Sequence, residues 1–194
     1  MHKGRLEAFS DGVMAVIITI LVLDLKVPEG DTWSAVAPLV PVFVSYVLSF
    51  VYVGIYWNNH HHMLQAASHV SGAALWANLH LLFWLSLTPF VTGWMGENHF
   101  ATIPVVLYGI DLLGAAIAYY ILERALIAVH GSDTRLATAV GADIKGWVSA
   151  VLYILGILAA LLISPRLGIG LYALVALMWL VPDRRIERVL GGKA

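Results

Sequence analysis

Arg5-Leu6-Glu7-Ala8-Phe9-Ser10-Asp11-Gly12 runs directly into Val13-Met14-Ala15-Val16-Ile17-Ile18-Thr19-Ile20-Leu21-Val22-Leu23, and this stretch decides the fold class. Between Val13 and Leu23 there is no charge, and the only polar side chain is the hydroxyl of Thr19. A bilayer core of about 30 Å is crossed by about 20 helical residues rising about 1.5 Å each, and residues 8–27 have that length. Met1–Arg5 has the basic character of a signal-peptide head. However, Asp11 and Asp24 bracket the apolar run and no A-x-A cleavage site precedes Pro28-Glu29-Gly30-Asp31, so the segment reads as a retained span.

Working outward, the same pattern recurs at residues 36–57, 72–93, 103–123, 146–163 and 167–182. The last two are separated only by Ser164-Pro165-Arg166, which predicts a tight helical hairpin. With no internal repeat of fixed period, residues 1–194 read as a single six-span transmembrane domain of an all-α polytopic membrane protein. Composition agrees: the chain is 60% hydrophobic and 12% charged, against about 25% charged in soluble domains, and its mean hydropathy is +0.84. Such a chain is no disordered segment. A net charge of −1 offers no basic face for nucleic acid, and the absence of cysteine excludes disulfides, thiolate metal sites, iron–sulfur centres and cysteine nucleophiles.

Basic residues set the orientation, because positive charge concentrates in cytoplasmic loops. With six spans, one side collects Lys3, Arg5, Arg124, Arg135, Lys145, Arg184, Arg185, Arg188 and Lys193, leaving Lys26 and Arg166 opposite. Both termini are therefore expected in the cytoplasm.

At about 100° per residue, Gly12, Val16, Thr19, Ile20, Leu23 and Val27 share one sector of the first helix, whereas Ser10 and Asp11 point well away from it. An apolar stripe of this kind fits lipid contact or helix packing as well as a special function. An acid near a membrane helix is costly unless paired. Asp11 fits either an interfacial acid on its helix dipole or a packing network reaching Trp57, His60 or Asn78 on neighbouring helices.

The pattern R-x-x-x-F-S-D of Arg5, Phe9, Ser10 and Asp11 resembles the signature of the transmembrane-protein-175 family of potassium-permeable channels. The resemblance continues in Tyr56-Trp57-Asn58-Asn59-His60-His61, in Asn78-Leu79-His80-Leu81-Leu82-Phe83 and in Pro89-Phe90, and covers residues 5–97 well. It implies passive conduction of potassium, and of other monovalent cations to some degree, through a homotetramer whose first helices surround a central axis. No cofactor beyond the permeating ion is implied. Val16, Ile20 and Leu23 then map to the pore-lining hydrophobic gate, with Thr19 beside them. Arg5, Phe9, Ser10, Asp11, Trp57, His60 and Asn78 map to the packing network that ties the first span to its neighbours. Prokaryotic relatives usually carry a bulkier Ile or Leu at the position of Val16, so the narrowest ring is expected to shift to Ile20 or Leu23. The single-repeat length resembles prokaryotic members, which implies the prokaryotic cell membrane.

Other features carry less. Val53-Gly54-Ile55-Tyr56 imitates a potassium-filter sequence but sits inside a span with no re-entrant loop around it. Consecutive His60-His61-His62 are splayed by about 100° each and lack the spacing of metal ligands, so no metal is expected, although a histidine cluster can sense cytoplasmic pH. Trp33, Trp57, Trp94, Trp147 and Trp179 lie near span ends, as interface anchors do. Asp24 lies where it can snorkel to the outer interface, and Asp111, mid-span, has no partner that the sequence identifies. A competing reading is a secondary transporter or proton-coupled cation exchanger using Asp11, Asp111 and His80. It lacks the inverted repeats and broken helices typical of such folds. No G-x-S-x-G, H-E-x-x-H or paired acidic motif supports an enzyme.

Overall fold

A computed structural model of the chain describes residues 3–130 and 144–180. Its elements are α1 (Lys3–Leu23), the single-turn α2 (Trp33–Val36), a 3-10 turn (Ala37–Leu39), α3 (Val40–Ala66), α4 (Gly72–Glu97), α5 (Thr102–His130), α6 (Ile144–Leu162) and α7 (Pro165–Leu180). Five stretches are long and apolar enough to cross a bilayer, namely Lys3–Leu23, Trp33–Ala66, Gly72–Glu97, Thr102–Val129 and Ile144–Leu162, and α7 is a shorter apolar helix of 16 residues. The chain is an all-α integral membrane protein. Arg135, Arg184, Arg185, Arg188 and Lys193, which carry much of the charge asymmetry, lie outside the described residues, as does the predicted end of the last span.

The helices start and stop where backbone chemistry dictates, and this differs from the predicted spans. α1 ends at Leu23, not residue 27. Asp24 faces the negative end of the helix dipole, and Pro28 disfavours helical backbone at Val27, so the chain leaves the helix early. Val27 therefore drops out of the predicted stripe. Just beyond, Lys26 Nζ pairs with Glu97 Oε1 at 2.7 Å, which ties the end of α1 to the end of α4. α3 continues to Ala66, well past residue 57, because Asn58–Gln65 is polar yet helix-compatible. At about 1.5 Å per residue, its 27 residues reach beyond the hydrocarbon layer. Pro41 sits in its first turn, where a missing N–H costs nothing. α4 opens on Ser71, whose hydroxyl accepts the Ala74 amide at 3.2 Å. The α6–α7 hairpin turns through Ile163 and Ser164, with Pro165 at the first position of α7.

α1 packs on α3 and α4, whereas α6 and α7 pack on α5 at the other flank. The α5–α6–α7 side relies on small residues that let large rings come close, as membrane helices do without a hydrophobic driving force between them. A Cβ at Gly109 or Gly156 would run into the Tyr172 ring, and on the other side of α5 one at Gly114 would meet the Trp84 indole of α4. Tyr172 is fully buried, and its ring lies 6.0 Å from that of Tyr108 and 6.3 Å from that of Tyr153.

Candidate functional site on the first helix

Rotation of α1 sorts its residues into two faces. Leu6, Ser10, Met14, Ile17 and Leu21 recur every three or four positions and are buried against α3 and α4. Gly12, Val16, Thr19, Ile20 and Leu23 are exposed on the opposite face, with Val16 at 55%, Ile20 at 41% and Leu23 at 79%. The predicted stripe, less Val27, is thus one continuous surface of the chain. Thr19 donates its hydroxyl hydrogen to the Val16 carbonyl at 2.8 Å, which leaves the oxygen lone pairs facing outward.

The buried face carries a polar junction. Ser10 Oγ donates to the Leu6 carbonyl at 2.9 Å and accepts from Asn78 Nδ2 at 2.9 Å. Asn78 Oδ1 meets His60 Nε2 at 2.8 Å, so one amide links α1, α3 and α4, and all three side chains are fully buried. Beside this junction, Trp57 Nε1 donates to Asp11 Oδ1 at 3.0 Å. The structure thus brings together Ser10, Asp11, Trp57, His60 and Asn78, in two separate sets of bonds.

Arg5 and Phe9 do not join them. Both are exposed, and Arg5 makes no hydrogen bond or ion pair among the described residues. Five positions on a helix amount to about 140° of rotation, which turns Arg5 away from Ser10 and aligns it with Val16 and Leu23. Adjacency in the sequence motif had merged two faces into one.

Sequence reading missed the neighbouring contacts of Glu7, whose Oε1 lies 3.5 Å from His61 Nδ1, and of Lys3, whose ammonium reaches the Leu64 and Gln65 carbonyls at 3.0 and 3.2 Å. Glu7 sits four residues before Asp11, a spacing that places two acids near one face and was available as a signal. The three histidines diverge as their spacing requires: His60 faces Asn78, His61 stacks on Trp57 and bonds Gln65, and His62 meets the edge of the His61 ring.

Asp111 gains a setting that the sequence withheld. Its Oδ2 accepts the Thr88 hydroxyl at 2.9 Å, while its Oδ1 is buried without a hydrogen-bond partner. Thr92 donates to the Thr88 carbonyl at 2.5 Å and shares a 2.6 Å bond with Ser49, which also meets the Tyr108 hydroxyl at 3.0 Å. Asp11, Asp111 and His80 have separate partners, since His80 Nε2 accepts from Trp84 on its own helix.

Comparison with known proteins places this geometry. The family model described as "Endosomal/lysosomal potassium channel TMEM175" matches residues 5–89. A potassium channel of Chryseobacterium sp. (strain P1-3) is 56% identical over 190 residues, covering 98% of both chains. A potassium channel of Streptomyces collinus is 34% identical over 129 residues, covering 62% of this chain and 63% of that one. The crystal structure of a lysosomal potassium-selective channel TMEM175 homolog from Chamaesiphon minutus superposes with a TM-score of 0.80 at 26% identity, over 94% of this chain and 97% of that one. With sequence agreement over nearly its full length and a shared helical architecture, the chain belongs to the TMEM175 family of ion channels.

Proposed function

We propose that the chain is a passive potassium-permeable channel of the prokaryotic cell membrane. In this reading four copies surround a central axis and both termini face the cytoplasm. The observation that carries it is the exposed stripe of α1, since one helix cannot enclose a pathway and a stripe facing copies of itself can. Val16, Ile20 and Leu23 form the hydrophobic constriction, which passes ions according to width and wetting and needs no fixed charge. Thr19 turns its oxygen toward the same face. Ser10, Asp11, Trp57, His60 and Asn78 hold α1 against α3 and α4, so that the stripe keeps its direction. The high identity to proteins named as potassium channels supports the choice of ion.

Flux through liposomes containing purified protein tests the reading. Potassium current that follows its own gradient without saturation is the expected result. Strict coupling of cation movement to a proton gradient would instead establish an exchanger and overturn the channel.

A further inference from the structure

On the flank away from α1, helices α3, α5, α6 and α7 enclose a cavity of about 160 Å³. No residue of α1 or α4 lines it. Its wall is mainly aromatic and aliphatic, built around Tyr52, Tyr56, Tyr153 and Trp179, and its outer rim is formed by Ile117 and Tyr120 of α5 and Trp147 of α6, the Tyr120 and Trp147 rings meeting edge to face at 6.3 Å. These three rim residues are exposed on the chain's outer surface. An apolar cavity holds hydrocarbon in preference to water, and in a bilayer the medium at this rim is lipid.

Charge at one end says which lipid. The Arg124 guanidinium lies 5.0 Å over the Tyr120 ring, and the Lys145 ammonium 5.6 Å over the Trp179 ring. Both rings line the cavity. Arg124 follows Tyr120 by one turn toward the end of α5, and Lys145 stands in the first turn of α6, so both cations crown the same end of the slot. Arg124 Nη2 also contacts Glu123 Oε1 at 2.7 Å. A guanidinium has five donors, more than one carboxylate oxygen takes up. Long cationic side chains at a membrane interface lay their stems on apolar surface and hold their charge at headgroup level.

We propose that this cavity seats one acyl chain of an anionic phospholipid whose phosphate headgroup rests on Arg124 and Lys145. A zwitterionic lipid offers the same chain, but its own ammonium opposes the two cations.

Native mass spectrometry of the delipidated full-length protein, titrated with phosphatidylglycerol or phosphatidylcholine, tests this. Phosphatidylglycerol adducts are expected at about tenfold lower lipid concentration than phosphatidylcholine adducts. Arg124→Gln combined with Lys145→Gln is expected to bring the two lipids level, while Arg124→Lys alone keeps the preference. Ala150→Leu, which fills the cavity from α6 and leaves both cations in place, is expected to weaken both lipids. Equal binding of the two lipids by the unmodified protein, or a preference that survives the double charge substitution, would overturn the headgroup assignment. Unchanged lipid binding in Ala150→Leu would remove the acyl seat, and if that variant instead changes the oligomeric state, the cavity belongs to a contact between copies. Size-exclusion elution and circular dichroism identify any variant that fails to fold, and Ala150→Val then supplies a smaller filling of the same space.

Discussion

Asn78 shows how much one side chain settles. Its amide donates to the Ser10 hydroxyl and meets His60 Nε2, and all three side chains are fully buried. Replacing it with Leu strands His60 Nε2 and takes from Ser10 the bond it accepts, leaving that hydroxyl only the Leu6 carbonyl, and a stranded buried polar group costs about 1–3 kcal/mol. Asn78→Leu should therefore lower the melting temperature in detergent markedly. Glu7→Gln, at a half-buried and longer ion pair, should change it little. Equal shifts would mean that the Asn78 junction is not what holds α1. Thr19 belongs to the other face. With its hydrogen committed to the Val16 carbonyl, the oxygen is oriented outward, so Thr19→Val should reduce potassium preference in mixed-ion reversal potentials, and Thr19→Ser should keep most of it. The identities of the junction residues were legible in the sequence, since Asn78 carries a polar group inside an apolar span and Trp57 and His60 stand at the end of another, in motifs that the family resemblance marks. Their pairing was not. Asp11 bonds Trp57, whereas Asn78 and His60 serve Ser10, a choice set by helix rotation and distance that no one-dimensional spacing contains.

At the scale of elements, hydropathy located the five membrane-length helices and the shorter α7 among the described residues but misjudged their ends. It measures apolar character, and helices continue through polar residues wherever the backbone permits, as α3 does from Asn58 to Ala66. They also stop short of an expected end where charge and proline oppose the helix, as α1 does at Leu23 before Asp24 and Pro28. Periodicity did better with faces, because the stripe of Val16, Thr19, Ile20 and Leu23 survives as one exposed surface. Its role follows from what it meets. In this cysteine-free chain, cysteine at Ile20 or Leu23 should cross-link between subunits more readily than cysteine at Ile18, about 200° from Ile20 around α1. Equal cross-linking at all three positions would place lipid, not another copy, against the stripe. Close packing on the far flank was illegible, because Gly109, Gly156 and Gly168 carry no sign of their partners. Gly156→Leu should drive a side chain into the Tyr172 ring and separate α6 from α7, at about 1–3 kcal/mol or more, read as loss of the monodisperse species in size exclusion.

For the whole molecule, the proposed assembly gives the exposed stripe and the far flank opposite surroundings, other copies on one side and the bilayer on the other, with the buried junction between them. In the proposed fourfold assembly every constriction residue becomes a ring of four, and the barrier to a hydrated ion depends on the ring as a unit. Val16 is the small member. Val16→Ile in all copies should narrow the pathway, lowering current while keeping or sharpening potassium preference. Leu23→Asn should wet the ring, raising current and admitting more sodium. Dose separates a ring from four independent sites. Because the proposed orientation puts both termini on one face, four copies can be joined in tandem, and Leu23→Asn can be placed in one, two or all four of them. A shared constriction should respond steeply, with one polar member in four already raising sodium permeation, since wetting depends on the continuous apolar lining and not on any single side chain. A current that instead grows in equal steps with each substituted copy would mean that every subunit carries its own path. The stripe on α1 would then face lipid, and the pathway would have to be sought within the subunit, where Asp111, Thr88, Thr92 and Ser49 form the buried polar chain.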